Sequence, residues 1–314
     1  MNPNTFLLTT VLTLAGGSIF LNATPVISEF MAANDTVLAD EDGDFSDWIE
    51  IHNPDGSEVD LDGYFVTDKA SNLDKWRIPA VTIPAGGYLV IFASDKDRSN
   101  PEAELHASFK LPLKSGYLAL VAPDAVTVLT DFGSTYPLQF EDASNGTIKE
   151  FSYNDKSPWP VAADTLGYSI TLRAPGQNLD PSEPTHWRAS VTPGGTPGSS
   201  DGTLLAGNPT DDLDGDGLTA LLEHALGTSD NDATQSGSAS ASRMLIDGIL
   251  YDSFTYTVKE VADDVRTLVE TTIDLQNWSN DPAELVELVV TSNGDGTVTR
   301  TVRLATPAVV DSRR

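Results

Sequence analysis

The sequence predicts an all-β protein on three grounds. Short β-prone runs alternate with turn residues along most of the chain, Gly and Pro are frequent at 24 and 19 of 314 residues, and helical periodicity is confined to one short stretch. A chain of 314 residues exceeds one ordinary core, so two domains joined by linkers are expected. A hydrophobic content of 39% is low for a globular protein and suits short strands with long loops. Acidic residues outnumber basic ones 47 to 18, which leaves a net charge of −29. That balance opposes a sequence-independent grip on nucleic acid phosphates and makes cations the better partners. With no Cys, disulfides, thiolate catalysis and Cys-ligated zinc are excluded.

The amino-terminal stretch holds an apolar run from Phe6 to Leu21, broken only by Thr, Gly and Ser, with Ala23 as a small residue at the expected cleavage point. Residues 1–24 therefore read as a secretory signal peptide, which places the protein outside the cell, secreted or at its surface. An uncleaved leader would instead anchor the chain in a membrane. No later stretch approaches the roughly 20 apolar residues of a spanning helix.

From Val26 to Phe132 the runs VISEFM, DWIEIHN, YFVTD, KWRIP, GGYLVIFAS, YLALV and AVTVLTDF are separated by turn signals such as Pro54–Gly56 and Pro84–Gly87. Strands at this spacing read as a sandwich. Trp48, Ile49 and Ile51 interleaved with Asp47, Glu50 and His52 give the imperfect alternation of a strand with one buried and one wet face. Five features then coincide. They are an opening strand with Ser28-Glu29, a DWIEI strand ending in Asn53, the LDGY turn at Leu61–Tyr64, the W-x-I-P strand at Trp76–Pro79, and PAGGYLV. Together they resemble a lamin tail domain of the bacterial extracellular kind, over roughly Val26 to Phe140. The resemblance implies an immunoglobulin-like β-sandwich, assigned to residues 25–143, and a role in protein or surface interaction. The charge argues against carrying over the DNA contact known in nuclear relatives.

Residues 144–202 form a β extension, with a strand at Gly167–Arg173, and a Pro/Gly-rich exit linker at Pro193–Gly202. The order of WP, GYSITL, a Trp and GGTPG resembles the segment that often closes such domains. Residues 203–232 form an acidic loop and helix, and 233–243 a flexible linker by composition. In residues 244–314 the runs ILYDSFTYTV, VRTLVETT, ELVELVVTS and TVTRTVRLA, with a hairpin turn at Ser292–Thr297, predict a C-terminal β-domain. TIDLQNWS at Thr272–Ser279 resembles a signature of small β-domains ending exported bacterial proteins. In that resemblance a further strand follows Val310, so the domain reads as truncated.

The strongest chemical motif is DLDGDGLTALLE. Calcium takes six to eight oxygens, and an EF-hand-type loop supplies them from positions 1, 3, 5, 7 and 12 with Gly at 6. Here Asp212, Asp214 and Asp216 fill 1, 3 and 5, Gly217 fills 6, the Leu218 carbonyl 7 and Glu223 12. The run after the loop has Leu218, Leu221, Leu222, Ala225 and Leu226 at helical spacing, with Gly227 as its C-cap, so Glu223 reaches back to the ion from a helix. Gly207-Asn-Pro209 breaks any entry helix, and the unit resembles the loop-plus-helix units of dockerin-like and thrombospondin type 3-like repeats. Its expected role is to rigidify the hinge between the two β-domains, with Ca2+ the one cofactor implied.

Other candidates carry less. The cluster Asp40–Asp47 fits no complete cation loop and reads as a solvated connection. His52, His106, His186 and His224 lack the spacing of a zinc site. Trp48 and Trp76 sit in strands and read as core, whereas Trp159 and Trp187, in irregular sequence, read as exposed stacking surfaces. No nucleophile elbow or phosphate-binding Gly loop occurs, so no catalytic residue is assigned and the chain reads as a non-enzyme. The resulting expectation is a secreted structural, adhesion or protein-interaction protein whose partner is a protein or an extracellular polymer. An accessory carbohydrate- or surface-binding module of a secreted hydrolase system is the alternative.

Overall fold

The computed structural model describes residues 5–12, 25–123, 149–154, 159, 167–175, 179–293 and 295–308. Two compact units result, one within 15–201 and one that combines 202–314 with the N-terminal strand β1 (Thr5–Leu12). The first unit contains β2 (Val26–Met31), β3 (Asp47–His52), β4 (Val59–Asp60), β5 (Phe65–Thr67), β6 (Trp76–Arg77), β7 (Thr82–Ile83) and β8 (Tyr88–Ala93). It continues with β9 (Leu105–His106), β10 (Ser115–Val121), β11 (Lys149–Asn154), β12 (Ile170–Leu172) and β13 (Trp187–Ala189). The second contains α1 (Ala220–Leu226), β14 (Ala239–Ile246), β15 (Ile249–Lys259), β16 (Val265–Thr272), β17 (Leu285–Ser292) and β18 (Thr297–Leu304). The protein is all-β, with α1 as the one α-helix among the described residues. The strand expected at Ala125–Phe132 and the cleavage point at Ala23 lie outside the described residues.

In the first unit a six-stranded sheet in the order β13-β12-β2-β3-β8-β9 and a four-stranded sheet β11-β10-β5-β6 enclose one core. Phe30, Ile49, Ile51 and Ile91 from one sheet meet Val66, Trp76, Leu118 and Leu120 from the other. The alternation in β3 sends Ile49 and Ile51 into this core and Trp48 to the opposite face, where it packs with Met31 and Phe92. That second face is not wet, contrary to the sequence expectation, because Trp48, Glu50 and His52 are all buried there. Leu38 covers part of it, and the loop after β13 approaches closely enough that a Cβ on Gly195 would collide with Glu29 and Ser169.

The loop is held by two buried carboxylates. Glu29 and Glu50 are direct cross-strand partners in β2 and β3, each 1% exposed. Glu29 accepts hydrogen bonds from the Ser169 hydroxyl, the Thr196 amide at 3.0 Å and the Thr196 hydroxyl at 3.1 Å. Glu50 accepts from the Ser28 hydroxyl at 2.7 Å and the Gly198 amide at 2.6 Å. Buried Arg188 pairs with Asp201 just beyond, and Asp201 also accepts the Val191 amide at 2.8 Å. A stretch with the composition of a linker is thus fixed to the sheet by backbone amides donated to carboxylates. At the far end of β3, fully buried Asn53 donates to the carbonyls of Ser57, Ile83 and Pro84 at 2.7, 3.1 and 3.0 Å and accepts the Asp55 amide. One side chain therefore clamps the turns after β3 and β7.

The second unit has a four-stranded sheet β14-β15-β18-β17 and a two-stranded sheet β1-β16. Phe254, Tyr256 and Val258 alternate inward from β15 onto Val269, Val298 and Val302. Between them Thr255 and Thr257 face outward and pair with Thr301 and Thr299 at 3.0 Å. Asp247-Gly248, with φ of 51° and 79°, is the two-residue turn of the β14–β15 hairpin. It carries strand pairing back to Ala239, into residues whose composition resembles a linker.

Replacing Asn53 by Ala removes the buried side-chain amide that three carbonyls share, of which Pro84 keeps the Gly87 amide, and we expect the first unit to lose about 2–4 kcal/mol in urea unfolding followed by Trp fluorescence. Burial, opposed by the Ser28 hydrogen bond, pushes the Glu50 carboxyl up to about 7, and burial likewise raises Glu29. A carboxyl raised in the folded state binds protons that the unfolded chain releases, so its contribution is complete below about 4.5 and is lost as pH climbs through about 7. The melting temperature of the first unit should fall between about pH 4.5 and 7, and Glu50→Gln should flatten that fall. A variant that keeps the wild-type slope would refute this assignment.

Candidate metal centre

Two Asp triplets with their oxygens within 4.8 Å of one another occur among the described residues, and the fold treats them differently. In the first, Asp40, Asp42 and Asp44 lie between β2 and β3. Lys96 enters the triplet, its Nζ 2.7 Å from Asp40, 2.7 Å from Asp42 and 2.9 Å from Asp44. Arg98 adds contacts to Asp42 at 2.7 Å and Glu41 at 2.9 Å. Hydrogen bonds from Lys96 and Arg98 hold the Asp42 carboxyl down at about 2. The connection is thus an ion-pair cluster of four carboxylates around two cations rather than a merely solvated loop.

The second triplet is Asp212, Asp214 and Asp216. Asp212 accepts the amides of Gly215 at 2.9 Å and Gly217 at 3.1 Å, Asp214 that of Asp216 at 3.2 Å, and Asp216 that of Leu218 at 2.7 Å. These bonds wind the loop so that the three carboxylates converge, with Leu218 at its exit. Helix α1 follows at once, its first amides taken by the carbonyls of Asp211 at 2.7 Å and Pro209 at 3.2 Å. Glu223 projects from α1 and is 0% exposed. Its Oε1 accepts the Thr228 hydroxyl at 3.3 Å, while Oε2 has no hydrogen-bond partner, and neither has the buried Oδ2 of Asp214.

Asp230, which the motif did not include, belongs to the same site. Its carboxylate accepts the Leu213 amide at 2.9 Å and interacts with Glu223. Burial, then the Asp214 charge, then Asp230 push the Glu223 carboxyl up to about 7. The sequence signal for Asp230 is its place at the end of Gly227–Asp230, just after the helix C-cap, in a GTSD run close to the GTDP that often follows such loop-plus-helix units. Among the described residues no Lys or Arg pairs with any of these five acids, and 201–232 contains neither residue type. Buried carboxylate oxygens with no donor call for a proton or a cation, and all-oxygen donors suit a hard divalent ion.

The helix is seated on the C-terminal β-domain. His224 Nε2 lies 2.9 Å from Asp264, which also accepts the Leu205 amide at 2.7 Å. Ala220 and Ala225 are buried, and Gly227 closes the helix in a left-handed conformation with φ 76°. The remaining His residues are structural. His52 stacks on Tyr88, His106 contacts Ser94 at 2.9 Å, and His186 contacts the Asp180 carbonyl at 2.7 Å. Trp48 and Trp76 are core residues as expected. Trp159 and Trp187 are not exposed platforms, because both are buried in the main core and Trp187 packs edge-on against Phe30 at 5.6 Å. No helix among the described residues is long and apolar enough to cross a membrane.

Residues 22–156, a little under half of the chain, match the family model described as Lamin Tail Domain. That family is a non-catalytic immunoglobulin-like fold, and the match suggests a structural or protein-interaction module for the matched segment. No curated protein and no solved structure matches the chain. The match ends before β12 and β13, which nonetheless complete the six-stranded sheet.

Adding a Cβ to Gly227 places it 2.5 Å from the Thr297 methyl and in a conformation that L side chains resist. Gly227→Ala should lower the stability of the second unit by about 1–3 kcal/mol, read from Trp278 fluorescence, and leave the first unit unchanged. Equal loss in both units would contradict the seating described here.

Proposed function

We propose that this is an exported, non-catalytic structural or protein-interaction protein, built on a lamin tail sandwich and stabilised by one calcium ion. The ion is held by Asp212, Asp214, Asp216, Glu223 and Asp230, with the Leu218 carbonyl completing the set. The observation that carries this reading is the contrast between the two triplets. One encloses the ammonium of Lys96, whereas the other gathers five acids, two with buried unpartnered oxygens, and recruits no side-chain cation. Calcium supplies the missing positive charge there and lets Glu223 ionise at neutral pH. It also links the loop, the helix and the turn after it, and so stiffens the entry to the C-terminal domain. The uncharged apolar run Phe6–Leu21 supports export, where millimolar calcium would fill even a weak site. The lamin tail sandwich then presents its surface to a protein or an extracellular polymer.

Calorimetric titration of the full chain should show about one calcium ion bound, with a Kd of about 10⁻⁴–10⁻³ M, as for extracellular modules. At 10 mM calcium this adds about 1.4–2.7 kcal/mol of stability to the second unit. The double variant Asp214→Ala, Glu223→Ala should lose both effects, while Asp42→Ala should lose neither. No heat and no thermal shift in the wild type up to 10 mM would sink the calcium reading.

A further inference from the structure

We infer that the outer face of the four-stranded sheet in the second unit is a binding surface for a neutral polysaccharide. Each strand of that sheet sends alternate residues into the core and to the opposite side. Opposite the inward Phe254, Tyr256 and Val258, Thr255 and Thr257 of β15 stand beside Thr301 and Thr299 of β18, and all four are partly exposed. The register extends these rows to exposed Ser240 on β14 and exposed Thr291 on β17. The charge of this face departs from that of the chain. β14, β15, β17 and β18 contain two acids, Asp252 and Glu287, and the alternation puts both on the core side, in ion pairs with Arg243 and Arg300. The outward positions of the four strands hold no carboxylate, although 47 of the 314 residues are Asp or Glu. A partner docking here therefore strips water from hydroxyls and methyls and not from ionised groups.

Charge and hydrogen bonding both select the occupant. A cationic partner finds no carboxylate on this face, and an anionic polymer is repelled by a chain of net charge −29, which leaves a neutral one. The hydroxyls of Thr255 and Thr301 lie 3.0 Å apart, as do those of Thr257 and Thr299. A hydroxyl has one donor and two acceptor sites, so the Thr255–Thr301 pair spends one of each on itself and keeps one O–H and three lone pairs. In the other pair, Asn293 also reaches Thr299, at 3.2 Å. Sugar hydroxyls have the same mixed donor and acceptor character, whereas a carboxylate offers acceptors alone. Tyr251, partly exposed, borders the strip with the Arg303 guanidinium over its ring at 4.1 Å, which adds a planar border to the hydroxyl rows. A strip across four strands suits a length of polymer more than a single sugar. It adds a second contact to the one proposed for the lamin tail sandwich, and none of its residues belongs to the acidic loop.

Affinity electrophoresis of the full chain tests the inference, with calcium present throughout so that the outcome does not depend on the metal site. The gels contain hydroxyethylcellulose, galactomannan, mixed-linkage β-glucan or soluble starch. At least one of these neutral polymers should retard the wild type, and alginate, an acidic polymer, should not. Thr255→Val with Thr301→Val removes both members of a hydroxyl pair and keeps their branched shape, so it should leave the melting temperature unchanged and weaken retention at least about fivefold. Thr301→Glu, which returns a carboxylate to the face, should abolish retention, with its own melt as the control for folding. No retardation by any of the four polymers, retardation by alginate as strong as by the neutral ones, or full retention of a folded variant would overturn the inference.

Discussion

A shortage of positive side chains is the constraint on which this structure turns. With 47 acids against 18 Lys and Arg, most carboxylates cannot find an ion-pair partner, and those drawn into the interior must be satisfied otherwise. Three solutions coexist. Asp40, Asp42 and Asp44 share one ammonium, Lys96. Glu29 and Glu50 pair with no cation among the described residues and are satisfied by hydroxyls and backbone amides. Asp214 and Glu223 keep oxygens with no donor among the described residues, which is where the proposed ion would bind.

The second solution explains how the sandwich is closed. Amides of Thr196 and Gly198 and the hydroxyl of Ser169 come from beyond the lamin tail match, yet they satisfy charges on its two central strands. β12 and β13 extend the same sheet, and Trp187 fills the same core. The family segment and the segment after it are therefore one folding unit in terms of hydrogen bonding and burial. Two carboxylates side by side also make that closure responsive to protonation, because both are raised by burial, Glu50 further by the neighbouring Glu29 and Glu29 further by Asp201.

The second unit solves a different difficulty, that of a small two-layer domain with few strands. Its main sheet is regular, with aromatic and Val residues inward and a Thr ladder outward. The opposing layer is the two-stranded sheet β1-β16. The acidic loop and α1 pack on this unit through His224 and Asp264, so calcium at the loop would act on this domain.

Local chemistry made much of this legible in the sequence. The strands at Val26–Met31, Asp47–His52 and Val265–Thr272, the helix over Ala220–Leu226 and its Gly227 cap follow from periodicity and backbone preference, which are short-range properties. So does the convergence of Asp212, Asp214 and Asp216, set by hydrogen bonds within the loop. Burial and pairing across long separations were decided by tertiary structure. Trp159 and Trp187 sit in turn-rich sequence but fill the core, because aromatic volume is placed by the sheet that closes over it. Lys96 lies more than fifty residues from the acids it neutralises. Asp230 joins the loop only because α1 turns the chain back onto it. The covered face of β3 and the pairing of β1 with β16 likewise depend on which surfaces meet, and no pattern confined to one segment encodes that.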